Sequence, residues 1–205
     1  DASVAIAECL SGTEEDFALL MNAYANSLGL KNTNFINASG WPNDNHYSTV
    51  KDIMFVSEAL IRNFPDFYGY FKEREFTYNN IRQLNRNVLL HRVDGTDGLK
   101  TGFTKNSGWG IAASAIRENR RIIVIINGTN SSRTRALESE TLINWAFRET
   151  TQKIILEKNQ IIKEVDTWLG SKPSLNLIVG NDVITTLSFD QLKTIKSDIE
   201  YEKPV

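Results

Sequence analysis

The chain has 205 residues, 41% hydrophobic and 23% charged, with 12 Gly, 4 Pro and a formal net charge of −2. Those proportions exclude a mainly disordered, collagen-like or disulfide-scaffold protein, and the slight acidic excess argues against a dedicated nucleic-acid binder. No apolar run approaches the ~18 residues of a membrane span; the longest clean one is 122–126.

The chain opens on Asp1-Ala2-Ser3-Val4-Ala5-Ile6-Ala7-Glu8, which reads as a helix already under way, and it stops at Glu202-Lys203-Pro204-Val205. The expectation is a piece of a longer polypeptide. Cys9 is the only cysteine, so it can form no internal disulfide and hold no zinc by itself. Its neighbours Ala5, Ile6, Ala7 and Leu10 predict a small buried thiol.

A second helix begins where Thr13 and Asp16 resemble a capping box. Phe17, Leu20, Tyr24 and Leu28 follow at three- and four-residue steps, on one face, and Gly29 supplies a stop. Residues 30–47, rich in Asn and Gly, read as loop. Ser48 or Thr49 can cap a third helix that turns Ile53, Val56 and Leu60 inward and ends before Pro65. Residues 71–78 alternate weakly, as a strand does, and 93–103 are glycine-punctuated and extended. Residues 108–116 and 121–128 are β-rich and joined by Arg117-Glu118-Asn119-Arg120, which predicts a hairpin. A last long helix is expected over 131–149, with Leu137, Ile143 and Trp145 as core contacts.

After Thr150 the texture changes. Residues 153–156, 160–168, 175–179 and 183–187 are short, β-branched runs separated by Asn, Gly or Pro. The predicted organisation is a first domain over 1–150 and a β-rich second unit over 151–205, too small to bury much apolar surface alone.

The strongest local signal is Asp97-Gly98-Leu99-Lys100-Thr101-Gly102-Phe103-Thr104. A Lys, a hydroxyl and a glycine in succession on a strand make an anion and peptide cradle. The ammonium adds positive potential, the hydroxyl donates to a carboxylate, and the glycine admits a ligand close to the backbone. The competing reading of the triplet is a surface turn with a solvated lysine. His46 and His91 lie 45 positions apart and in no nucleophile-elbow pattern, and no Gly-x-Ser-x-Gly occurs, so neither a Ser-His-Asp site nor a metal site is indicated.

Around this segment the sequence resembles the serine D-alanyl-D-alanine carboxypeptidases, the low-molecular-mass penicillin-binding proteins. The matching stretches, in the family's order, are residues 1–8, Met21-Asn22, Leu28-Gly29-Leu30-Lys31-Asn32-Thr33-Asn34-Phe35, His46-Tyr47-Ser48-Thr49, Asn85-Arg86-Asn87-Val88-Leu89-Leu90, and Asp97 to Thr104. The resemblance covers most of 1–150, and 151–205 is similar to the opening of the β-rich domain such enzymes carry.

The resemblance implies an active site of three motifs, Ser-x-x-Lys, Ser-x-Asn and Lys-Thr-Gly. Only the third is plain here. The chain is expected to begin one residue after the Ser-x-Asn, with the nucleophilic serine further upstream. Ser48-Thr49-Val50-Lys51 and Ser174-Leu175-Asn176 spell the other two motifs, but Ser48 falls where the family caps a helix and Ser174 stands in the wrong order.

By the same resemblance, Lys100 polarises the nucleophile and attracts the terminal carboxylate of the substrate. Thr101 hydrogen-bonds that carboxylate, Gly102 permits close docking, and the Phe103 N–H is one of two oxyanion donors. Arg86 matches an arginine that approaches the carboxylate; its alternative role is to tie a loop to backbone carbonyls.

The implied fold is α/β (α+β): an antiparallel sheet with helices, incomplete at its N-terminus, followed by a partial all-β domain. The implied activity is removal of terminal D-alanine from peptidoglycan stem peptides at the outer face of the bacterial cytoplasmic membrane or in the periplasm. The chain alone is expected to be inactive. Ligands would be peptides ending in D-Ala-D-Ala and β-lactams, with no nucleic acid, cofactor or metal. An exposed strand edge and helical face would favour association with a missing N-terminal segment or with itself. Two rival readings are a non-catalytic cell-wall peptide-binding module or split-gene product, and a β-lactamase.

Overall fold

The computed structural model describes residues 2–196 and 198–200. They fall into two compact units, Asp1–Asn144 and Trp145–Val205.

The first unit opens with helices α1 (Ala2–Ser11) and α2 (Glu14–Ser27). The Thr13 side chain accepts the Asp16 amide at 3.0 Å, which caps α2, and three acidic residues in its first turn favour the helix dipole. Gly29, at φ +75°, takes the left-handed conformation that ends the helix. The buried face of α2 carries Ala18 and Ala25, while Leu20 and Tyr24 are exposed. The three- and four-residue steps were right for a helix and picked the wrong stripe, because the small alanines are what let α2 approach its neighbours.

Cys9 is likewise exposed, contrary to expectation. On α1 only Ala7 is fully buried, and Ile6 and Leu10 face out beside the thiol.

The loop from 30 to 47 has almost no backbone pairing, so side chains hold it. Asn22 bonds both polar groups of the Phe35 backbone at 2.7 and 2.8 Å. Asp52, buried at 3% exposure, accepts from the Asn32 amide and the Thr33 hydroxyl. Helix α3 (Val50–Asn63) is capped by Thr49, which accepts the Asp52 amide. Its buried residues are Asp52 and Ser57; Ile53, Val56 and Leu60 are half-buried. The helix ends before Pro65, which begins the short α4 (Pro65–Tyr68), followed by a 3₁₀ turn.

Where a single strand was expected over 71–78, the chain makes a hairpin of β1 (Glu75–Tyr78) and β2 (Ile81–Leu84). Asn79 and Asn80 turn it, both at positive φ, a conformation asparagine tolerates well.

After the short α5 (Leu89–Arg92) come the three strands that organise the unit: β3 (Thr96–Thr104), β4 (Gly108–Arg117) and β5 (Arg120–Thr129). They form one antiparallel sheet in the order β3-β4-β5, turned between β4 and β5 by Glu118 and Asn119 at positive φ. Ala113, Ser114 and Ala115 on β4 are fully buried, as a central strand requires. Among the described residues β3 pairs only with β4, so its other edge is free.

Helix α6 (Ser132–Glu149) buries Arg135, Ala136, Ser139 and Ile143. Of the three core contacts expected on it, Ile143 is fully buried, and Leu137 and Trp145 are 45% and 48% exposed.

The second unit pairs β6 (Thr150–Leu156) with β9 (Val183–Ser188), and β7 (Ile161–Asp166) with β8 (Ser174–Ile178), all antiparallel. Val165 and Val179 are its buried apolar residues. A capping box between Ser188 and Gln191 starts α7 (Phe189–Thr194). No helix of the described residues is long and apolar enough to cross a membrane.

Candidate functional site

The Lys100-Thr101-Gly102 triplet lies on β3, at the border of the sheet. Neighbouring residues on a strand point to opposite sides, so this one edge serves two clefts. One, of about 590 Å³, lies towards α3 and is lined by Lys100, Thr104, His46 and Val50 among others. The other, of about 780 Å³, lies towards the start of α6 and includes Phe103, Arg86 and Arg135. Thr101 and Gly102 line both.

What brings Arg86 to this edge is its two neighbours. Asn85 donates to the Glu73 carbonyl at 2.9 Å, tying the loop to the approach to β1. Asn87, 1% exposed, donates from Nδ2 to the Gly98 carbonyl at 2.8 Å and accepts the Leu89 amide. Arg86 itself is exposed and makes no hydrogen bond or ion pair among the described residues. It is therefore not tied to backbone carbonyls; the asparagines do that work and leave the guanidinium available.

The entry into β3 is fixed from behind. Tyr68 donates to Asp97 at 2.8 Å, and Arg121 bonds Asp97 and the buried Ser114 hydroxyl at 2.8 and 2.6 Å. Burial, then the Asp97 carboxylate, push the Tyr68 phenol up to about 12, against the Ser114 hydrogen bond. Gly98 is required here, since a Cβ at that position would stand 2.6 Å from the Tyr68 hydroxyl. The Gly98–Leu99 peptide is cis.

Three cations share the site. Lys100 is exposed, and its Nζ donates to the Thr101 carbonyl at 2.6 Å. Its pKa is held below the ordinary lysine value, first by partial desolvation of the ammonium and then by the charges of Arg86 and Arg135. Arg135 is 6% exposed and lies over the Trp109 ring at 5.4 Å; burial lowers its pKa. Trp109 in turn packs against Phe103 with the rings tilted by 34° and their centroids 4.4 Å apart. The result is a layer that runs from Phe103 on β3 through Trp109 on β4 to Arg135 on α6. Cations that repel one another at a concave, partly desolvated surface are a ready receptor for an anion.

Of the residues expected at the site, the structure brings together Lys100, Thr101, Gly102, Phe103 and Arg86. Arg135 was missed. Its signal was present: an arginine in the first turn of a helix is opposed by the helix dipole, so its place there calls for a reason.

The two other motif matches are not assembled. Ser48 precedes the α3 cap, and its Oγ lies 2.8 Å from the Thr33 hydroxyl, while Lys51 packs over Phe55. A Ser-x-x-Lys couple needs both residues in one helix to share a face. Ser174 is on β8, in the second unit, bonded to Glu164. His46 is a loop residue whose Nδ1 accepts the Ile36 amide at 3.1 Å, and burial lowers its pKa.

Residues 1–131 match the family described as Peptidase_S11, D-alanyl-D-alanine carboxypeptidase. D-alanyl-D-alanine carboxypeptidase DacA of Escherichia coli (strain K12) is 39% identical over 200 residues, which is 96% of this chain and 49% of that protein. The crystal structure of penicillin binding protein 5 from Haemophilus influenzae superposes with a TM-score of 0.83 at 35% identity, covering 93% of this chain and 56% of that one. Penicillin-Binding Protein D2 from Listeria monocytogenes in its ampicillin-bound form superposes at 0.67 with 32% identity, covering 72% and 62%. The chain thus spans about half the length of the curated relatives it matches.

Proposed function

Because the chain belongs to the D-alanyl-D-alanine carboxypeptidase family, peptidase S11, we propose that it forms the carboxylate-holding wall of a serine carboxypeptidase that removes terminal D-alanine from peptidoglycan stem peptides. The observation that carries this reading is the gathering of Lys100, Arg86 and Arg135 at the free edge of β3.

On this reading an extended peptide lies antiparallel along β3, using backbone groups that no strand occupies. Its terminal carboxylate accepts from the Thr101 hydroxyl and is drawn by the Lys100, Arg86 and Arg135 charges. Gly102 offers no Cβ, so the peptide can approach the backbone. The scissile carbonyl then stands at the Phe103 N–H. Donation to the developing oxyanion is worth about 2.7–4 kcal/mol of transition-state stabilisation per donor.

On this reading neither motif serine of the chain is the nucleophile. Ser48 and Ser174, the two motif serines, are engaged elsewhere. On this reading the chain by itself holds ligands reversibly and forms no acyl-enzyme. A β-lactam carries a carboxylate beside its reactive amide and would use the same wall. Such substrates place the site of action outside the cytoplasmic membrane, at the periplasmic face.

A fluorescent penicillin tests this reading with the chain as it stands. Anisotropy should report reversible binding that an acyl-D-Ala-D-Ala peptide displaces and that Lys100→Ala and Arg86→Ala weaken, with no label surviving denaturation. Label that survives denaturation would overturn the assignment of the nucleophile, and binding indifferent to both substitutions would overturn the site.

A further inference from the structure

Strand β3 is not regular along its length. From Gly98 to Thr104 it pairs residue for residue with β4, with Gly98 opposite Ser114 and Lys100 opposite Ala112. Thr96, however, stands opposite Ala115. Asp97 is therefore the extra residue of a β-bulge, with no partner of its own in the ladder.

The bulge decides which way the site residues face. Residues paired across two strands share a face, and a slip of one residue exchanges the faces. In the observed register Leu99 and Thr101 share a face with Ala113 and Ile111, and all four are buried. Lys100 shares the other face with Ala112, and both line the cleft towards α3. Had the ladder run on unbroken from Thr96 and Ala115, Lys100 would stand opposite Ile111, with its ammonium on the packed face. Thr101 would be turned outwards.

The bulge is held by side chains. The Asp97 carboxylate accepts from Tyr68 at 2.8 Å and from Arg121 of β5 at 2.8 Å. Arg121 is itself fixed, donating to the Ser114 hydroxyl at 2.6 Å and lying over the Tyr68 ring at 5.2 Å. The Asp97 and Arg121 side chains keep only 18% and 25% of their surface exposed, which favours a strong charge-assisted pair. Gly98 completes the fit, since a second side chain there would meet the Tyr68 hydroxyl. None of these groups lines either cleft.

We propose that Asp97 is a positioning residue: clamped between Tyr68 and Arg121, it holds the bulge that points Lys100 into one cleft and keeps Thr101 between the two. This rests on the reading of β3 as the carboxylate-holding edge. Asp97 touches no ligand; it acts through the phase of the strand.

The test compares the 205-residue chain with Asp97→Ala, Asp97→Asn and Ile143→Val, the last a core truncation on α6 that controls for lost stability. Each is titrated with an acyl-D-Ala-D-Ala acid and with its C-terminal amide. NMR reads the Lys100 ammonium pKa and the cross-strand contact between Lys100 and Ala112. In Asp97→Ala the acid should bind about three- to tenfold more weakly, with the amide little changed. The Lys100 pKa should rise towards the ordinary lysine value, and the contact with Ala112 should fade. Asp97→Asn, which keeps an acceptor for both donors, should fall between, and Ile143→Val should change none of the three. If Asp97→Ala does not fold, Arg121→Gln cuts the same clamp and should give the same changes. An unaltered acid affinity and an unmoved Lys100 in either variant, or equal changes in Ile143→Val, would overturn the proposal. A parent chain that binds acid and amide alike would overturn the site reading, and the Lys100 pKa and cross-strand contact would still decide the part of Asp97.

Discussion

Asn87 and Gly98 are joined by a buried hydrogen bond, Nδ2 to carbonyl, at 2.8 Å. Through it the loop that presents Arg86 and the strand that presents Lys100 become one rigid piece. The relationship matters because neither cation is held by its own side chain: Arg86 has no partner among the described residues, and Lys100 touches only the next carbonyl.

Asn87→Leu should therefore do two things. It leaves the Gly98 carbonyl and the Leu89 amide unpaired in the interior, which costs about 1–3 kcal/mol per group. It also frees the loop, so carboxylate peptides should bind more weakly than stability alone explains. Urea denaturation and peptide titration under folding conditions check the two separately.

The Lys100 ammonium gives a pH dependence of definite sign. Its folded pKa lies below the ordinary lysine value, so the unfolded chain binds more protons between the two and stability rises with pH across that window. Carboxylate binding should do the reverse, weakening as pH rises through the folded pKa and the ammonium discharges. Arg135→Gln and Arg86→Ala each remove a repelling charge and should raise that pKa, as NMR of labelled lysine would read.

Tyr68 governs the alkaline limit. Its folded pKa, about 12, exceeds the unfolded value near 10, so the folded chain keeps a proton that the unfolded chain gives up. Its contribution is complete below pH 10 and is lost as pH climbs towards 12. Tyr68→Phe should remove the bond to Asp97, lower stability by about 0.5–2 kcal/mol, and flatten the alkaline fall. Thermal melts from pH 8 to 11, roughly, would show it.

Ile6, Leu10, Leu19 and Leu20 on α1 and α2 are all more than half exposed, and β5 pairs with β4 alone among the described residues. Such faces and edges associate in water. Sedimentation should show oligomers of this chain when it is studied alone, and substituting Leu19 and Leu20 by Lys should reduce them. A well-behaved monomer at every concentration would contradict this.

What could be read from the sequence follows the physics of each element. The β4–β5 hairpin was legible because a long β-branched run on each side of Glu118-Asn119 leaves few alternatives. The Lys100 strand was legible because a glycine-punctuated, extended segment stands just before the hairpin. The inward stripes of α2 and α6 were not, since Ala18, Ala25, Arg135 and Ser139 occupy the buried faces and hydrophobicity points elsewhere. Cys9 was misplaced for the related reason that apolar neighbours along a helix do not imply a partner across it. The β1–β2 hairpin escaped because all eight of its strand residues are exposed and carry no alternation of burial.

The most direct measurement is a backbone NMR map of the chain titrated with an acyl-D-Ala-D-Ala acid and, separately, its C-terminal amide. The account predicts that the acid shifts the amides of Lys100 through Phe103 and the Arg86 and Arg135 side chains, and that the amide leaves them nearly still. Equal shifts from both compounds, or shifts that bypass β3, would contradict it.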